Sequence, residues 1–263
     1  MFKPLHVSSI RTWMLEQKWI WSYIGIVCLY LIISFVSANP LDTLTASISF
    51  ASFFILVGIG QMLVITTGPG NIDLSIPYTL ALAGLVAMKV MNEANVNIPM
   101  GLLAGLLVGA AVGMFNFSLI RLASIPPMIA TLAASFIVRT LSIVFFRGLQ
   151  VKPPRDLERF VTIRFGFLPL MFLMVGVLSI LMHFILTRTA YGRNIHAIGQ
   201  NIKAAWLSGI SVVKHKWITY ALSGIFASLT GVLLAAFSGG ATLDMGGEYM
   251  LYSIAVVVLG GRS

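Results

Sequence analysis

Residues 45–77 read TASISFASFFILVGIGQMLVITTGPGNIDLSIP, and this stretch decides the fold class. The first part, residues 45–66, carries no charge and is long enough as a helix to cross about 30 Å of hydrocarbon. It runs straight into Thr67-Gly68-Pro69-Gly70-Asn71, a cluster of helix breakers. Then Ile72-Asp73-Leu74-Ser75-Ile76-Pro77 opens a new apolar run. Breakers release backbone groups from helical bonding. At membrane depth such backbone survives only where protein or a water-filled cavity satisfies it. The alternatives are a capped loop near the membrane surface and a discontinuous helix bordering a polar pathway. In either case Asp73 can cap the following helix, with Pro77 tolerated near its first turn.

The rest of the chain is of the same kind. Of 263 residues, 58% are apolar and 10% charged, against about 45–50% and about 25% in ordinary soluble domains. Mean hydropathy is +0.96. These values exclude a soluble enzyme, a disordered chain and a secreted disulfide scaffold, and the single Cys28 cannot form an internal bridge. Further spans are expected at residues 19–38, 74–92, 98–120, 125–146, 167–187 and 217–239. Val36-Ser37-Ala38 resembles a cleavage site, but the apolar run before it is long for a signal peptide and more spans follow, so a retained helix is expected. The final run, residues 249–261, is too short to cross unaided. The expected architecture is thus all-α, a polytopic helix bundle of about seven full spans and an incomplete eighth, with one discontinuity near 67–73. It forms a single domain over 1–263.

Charge sets the expected orientation. The formal net charge is +9, with the basic residues lying between apolar runs rather than along one face, so they read as topology determinants and not as a nucleic-acid surface. With the N-terminus inside, the inner side receives Lys3, Arg11, Lys18, Arg121, Arg188, Arg193, Lys203, Lys214, Lys216 and Arg262, ten in all. The outer side receives Lys89 and five in the loop 147–165, while Arg139 lies inside a span. The count favours an N-terminus inside. On this scheme Asp42 and the short acidic connection 241–248, with Asp244 and Glu248, fall outside.

Small residues show where helices approach closely. Gly101, Gly105, Gly109 and Gly113 recur every fourth residue, and Ser223, Ala227, Gly231 and Ala235 do the same later in the chain. Each stripe packs either inside one subunit or against a second. Chemistry of other kinds has no support. There is no G-x-x-x-x-G-K-[ST] phosphate loop, no His-Glu-x-x-His and no Cys-x-x-Cys. His6, His183, His196 and His215 are scattered, and no carboxylate pair lies within the spans to run a proton relay.

The polar loop 187–216 is the second informative stretch. Asn201 is an expected N-cap, residues 203–208 a short helix and Gly209 its stop. An exposed helix carrying Ala204, Trp206 and Leu207 needs an apolar surface, either the membrane or a protein partner.

Taken together, these stretches resemble the transmembrane permease subunit of bacterial ABC importers for ribose and related monosaccharides. The resemblance rests on Asn71-Ile72-Asp73-Leu74-Ser75, on Ile129-Ala130-Thr131-Leu132 with Arg139 following, and on Tyr191-Gly192-Arg193. It continues through Ala204-Ala205-x-x-Ser208-Gly209-Ile210, Tyr220-x-Leu222-Ser223-Gly224 and Ala255-Val256-Val257-Val258-Leu259-Gly260-Gly261, covering roughly residues 45–261 in consistent order. It implies an inner-membrane uptake system with a periplasmic sugar-binding protein, two permease subunits of the same or related sequence and two cytoplasmic ATPase subunits. The ATPases bind ATP and Mg, so no cofactor is expected in this chain. It also implies that residues 187–216 hold the coupling segment, with Gly199, Asn201, Ala204, Ala205, Trp206, Leu207, Ser208 and Gly209 contacting the ATPase. Asn71, Asp73, Ser75 and Arg139 are the positions it suggests for the translocation path. Asn71 stands where the family has a glycine, and Ile76-Pro77 replaces a common Val-Gly, which weakens a direct sugar role for Asp73. Relatives continue past Leu-Gly-Gly with further spans, so a C-terminally incomplete permease is expected. The rival readings are a non-functional permease remnant, a self-contained secondary transporter and an intramembrane enzyme.

Overall fold

The computed structural model describes residues 18–148 and 151–260. Lys3, His6, Arg11 and Arg262, named above, lie outside the described residues, as does Gly261, the last residue of the final run. The described chain is an all-α bundle. In order it comprises α1 (Lys18–Val36), α2 (Pro40–Thr66), α3 (Ile76–Met91), a 3-10 turn (Asn95–Asn97), α4 (Ile98–Leu122) and α5 (Pro127–Phe146). Then follow α6 (Arg155–Thr162), a minimal hairpin of β1 (Arg164–Phe165) and β2 (Leu168–Pro169), α7 (Leu170–Arg188), α8 (Ala190–Gln200), α9 (Ile202–Leu207), α10 (Val212–Phe237) and α11 (Tyr249–Leu259). Proline in the first turn opens α2, α3, α4 and α5, where its missing N–H has no helical partner to lose.

Five of these helices, α2, α4, α5, α7 and α10, are long and apolar enough to cross a membrane. Three apolar segments are shorter: Ile20–Val36 of α1, α3 and α11. The expected span 74–92 is therefore a helix of 16 residues, about 24 Å long, with a non-helical segment before it. Charged loop 147–165 contains α6, an amphipathic turn of helix that buries Leu157 and Val161 and exposes its charges. Its start is held by Asn95, whose Oδ1 accepts from the Asp156 amide at 3.1 Å.

The core forms around α10, which packs against α2, α3 and α4. Phe53, Leu56, Leu63, Leu80, Met88, Val232 and Leu234 fill the space between them. Both small-residue stripes are spent inside the chain. A side chain at Gly109 would strike the Gly224 carbonyl and Ser228, and one at Gly113 would strike the Tyr220 backbone. Gly101 and Gly105 lie against Met91, Ala83, Ala87 and Val232. Gly231 faces the backbone of Leu80, and Ser223 presents its backbone to Gly60. Of the two readings open at the sequence level, the structure therefore takes packing within one subunit.

Two non-helical stretches enter the bundle from opposite ends. Residues 67–75 rise from the end of α2 that also carries α8. Residues 238–248 turn in from the other end, where Gly240 lies near Val151, and reach Gly246 packed against the Pro77 carbonyl. This second stretch departs from the expectation of a short external connection at 241–248. Gly239, Gly240, Gly246 and Gly247 explain it. Gly239 and Gly240 hold positive φ, and Gly246 offers no Cβ, so backbone meets backbone at Pro77. The helix that follows, α11, then runs beside α2, with Tyr249 against Phe54 and Val256 against Gly58.

Candidate functional site

Asp73 is the centre of the first break. It is 2% exposed, and both its oxygens are used. Oδ1 accepts from the Ser75 amide at 3.0 Å, the Ser75 hydroxyl at 2.7 Å and Asn116 Nδ2 at 3.3 Å. Oδ2 accepts from the Ser223 hydroxyl at 2.9 Å. Gln61 Oε1 accepts from the Asp73 amide at 3.3 Å. Thr131 closes the arrangement: its hydroxyl donates to the Ile72 carbonyl at 3.0 Å and accepts from the Leu74 amide at 3.1 Å. Released backbone at 72–75 is thereby satisfied by Gln61 of α2, Thr131 of α5 and the Asp73 carboxylate, which α4 and α10 in turn hold through Asn116 and Ser223. Gln61 Nε2, Asn116 Oδ1 and the Tyr220 hydroxyl are buried around this knot with no protein partner among the described residues.

Of the positions suggested for the path, Asp73 and Ser75 are 2% and 1% exposed and lie enclosed among side chains of their own subunit. Ser75, not Asp73, is the N-cap residue of α3 and no side chain caps the helix; Asp73 instead accepts from the Ser75 amide, as one part of a four-helix tie. Asn71 is also buried, yet it borders a cavity of about 460 Å³ shared with Thr66, Gly68, His196, Gly199 and Val258. Gly68 and Gly70 both hold positive φ there, so the breakers are required by the turn itself. Arg139, by contrast, is half-exposed. Its Nη2 lies 3.5 Å from Asp244 Oδ1, and its guanidinium stands over the Tyr78 ring at 5.3 Å from the centroid.

The loop 187–216 becomes two helices. In α8 the Thr189 side chain accepts from the Gly192 amide. Gly192 lies against the backbone of Leu186 at the end of α7, and Gly199 lies against the Thr66 carbonyl at the end of α2. Ile195 and Ile198 are fully buried beneath it. The Tyr191 hydroxyl meets the Thr219 hydroxyl at 2.9 Å, and burial pushes its pKa up, so it stays a neutral hydrogen-bonding group. The second helix, α9, follows the sequence expectation. Asn201 Oδ1 accepts from the Ala204 amide at 3.0 Å, and Gly209 at φ +83° ends the turn. Ala205 is buried, while Trp206 and Leu207 are 65% and 68% exposed. Ala204, Ser208 and Gly209 are exposed beside them.

Sequence reading missed Tyr78, Asp244, Gln61, Asn116 and Ser223 as members of these constellations. The only signal was polarity inside spans, which does not identify a partner far along the chain. Among the described residues no group of three or more His, Cys, Asp or Glu could hold a metal.

Comparison with known proteins adds the family. Residues 43–263 match the family described as the branched-chain amino acid transport system permease component. The chain is 33% identical over 260 residues to the ribose import permease protein of Escherichia coli K12, covering 96% of this chain and 79% of that protein. It is 31% identical over 214 residues to the D-allose transport system permease protein of the same organism, covering 81% and 65%. It is 30% identical over 243 residues to an autoinducer 2 import system permease protein of Salmonella typhi, covering 91% and 69%. No solved structure matches.

Proposed function

The chain belongs to the family of the branched-chain amino acid transport system permease component, and from that premise we propose that it imports a monosaccharide as a subunit of an ABC transporter. The relatives named for ribose, allose and autoinducer 2 support a small polyhydroxylated substrate. The chain performs no covalent step. ATP and Mg belong to a separate ATPase pair, and the sugar is delivered by a periplasmic binding protein. A second permease subunit, identical or related, completes the path. The assembly sits in the bacterial inner membrane with this chain's N-terminus in the cytoplasm.

One observation carries this reading. The exposed apolar pair Trp206 and Leu207 stands on α9, and α9 is joined to α8, which rests through Gly199 on the last turn of α2. Thr66 is where the break at 67–75 begins. The ATPase surface would seat α9, with Gly199, Asn201, Ala204, Ala205, Ser208 and Gly209 shaping the element. A movement there reaches the broken segment through backbone contacts rather than through flexible side chains. Asn71 lies on that route, at the cavity shared with His196 and Gly199. Asp73 and Ser75 act by holding the segment to α4 and α10, and Arg139 faces the path.

The test is Leu207→Asp in the intact assembly. A charge at this position should abolish sugar uptake and co-purification with the ATPase while leaving sugar capture by the binding protein unchanged. Normal uptake by this variant would remove the coupling assignment.

A further inference from the structure

We propose that Arg139, Asp244 and Tyr78 form a sugar-contacting station in the translocation path; this rests on the importer reading above. Arg139 lies seven residues from the Phe146 end of α5 and twelve from its Pro127 end, so about 10 Å and about 18 Å along the axis. Its neighbours Phe136, Ile137, Leu141 and Val144 are exposed and apolar, as expected within the hydrocarbon layer. Asp244 is brought to the same level by the inward turn of 238–248, two residues before Gly246 meets Pro77. Tyr78 follows Pro77 in the first turn of α3.

The pair is open. Among the described residues the Arg139 side chain is 43% exposed and that of Asp244 is 78% exposed. Charges at this depth cannot face lipid and must face water or another subunit. At 3.5 Å the contact is long for a charge-assisted hydrogen bond, so donors and acceptors remain for a third party.

The chemistry selects a neutral polyol. The guanidinium offers only donors and the carboxylate only acceptors, and a sugar hydroxyl can answer both. The two charges cancel, so neither an anion nor a cation is favoured. The half-buried Tyr78 ring, with the guanidinium over one face, adds an aromatic surface and a hydroxyl beside the pair.

The test uses the whole transporter, with its ATPase and binding protein, in liposomes, and radiolabelled D-ribose and D-allose as probes. Asp244→Asn and Arg139→Gln should each lower uptake at least about tenfold, the scale of losing a charged hydrogen bond, and Tyr78→Ala should lower it as well, with ATPase stimulation by the loaded binding protein retained. The charge swap R139D with D244R should not restore uptake. Uptake at the unmodified rate in Asp244→Asn, rescue by the swap, or loss of assembly in Asp244→Asn would each overturn the station. Import of neither sugar by the unmodified transporter would sink the monosaccharide reading itself, and the station with it. A second measurement is independent of transport. In a Cys28→Ala background, Tyr78→Cys should react with a water-soluble thiol reagent and be protected by the sugar, whereas Ile180→Cys, exposed on α7, should not react. An unreactive Tyr78→Cys would overturn the proposal.

Discussion

Asp73 shows how one side chain can hold a break open in a helix bundle. Four donors converge on its two oxygens, from the Ser75 amide and hydroxyl, Asn116 and Ser223. Removing the carboxyl leaves buried donors without partners, which costs about 1–3 kcal/mol for each. Asp73→Ala should therefore lower the thermal unfolding midpoint of the detergent-solubilised chain well below that of Asp73→Asn, which keeps one acceptor. Equal midpoints for all three proteins would refute the tie. Although Ser75 is the N-cap residue of α3, the sequence already placed the Asp73 carboxylate at the entry to that helix, and its bond to the Ser75 amide two residues on is local chemistry. Its bonds to α4 and α10 span 43 and 150 residues, and no local pattern reports contacts at such separations.

At the scale of elements, α4 and α10 are joined by an absence of side chains. Gly109 and Gly224 face one another with room for neither to carry a Cβ. Without a hydrophobic drive between helices in lipid, such close approach supplies van der Waals packing and sustains the interface. Gly109→Val should abolish stable insertion of the bundle, read as loss of the monodisperse peak in detergent. Gly176→Val on α7, where a Cβ meets nothing within 4 Å, should leave that peak unchanged. A monodisperse Gly109→Val protein would show that the helices can part at little cost. The period of the stripe was legible in the sequence. Its partner was not, since small residues call for a close neighbour without naming it. The element α9 was legible at both ends, because Asn201 and Gly209 act within a single turn.

Across the whole molecule, the breaks at 67–75 and 238–248 enter from opposite ends, and Gly246 of the second meets Pro77 in the first turn of α3, just past the first. Elements at one end, α8 and α9, lie with the start of the first break. Elements at the other end include α6, whose charged face carries Arg155, Asp156, Glu158 and Arg159. If α9 is cytoplasmic, α6 is periplasmic. In the Cys28→Ala background, Trp206→Cys should be labelled by an impermeant thiol reagent only in inside-out vesicles, and Thr162→Cys only in intact spheroplasts. The opposite pattern would invert the orientation; labelling of both from one side would break the topology.

The amino-acid sequence by itself determined the solvent, the helical class, the break after Thr66 and the short capped helix ahead of Gly209. All follow from composition, period and chemistry acting within a few residues. It also carried, through its motifs, the resemblance that the family match agrees with. Tertiary structure alone decided that the glycine stripes are spent internally, that Asp73 is enclosed among four helices, and that Asp244 turns inward to Arg139. These depend on which distant segments meet. In lipid that choice is made by backbone fit and by the satisfaction of buried polar groups, neither of which is written in any one stretch of the chain.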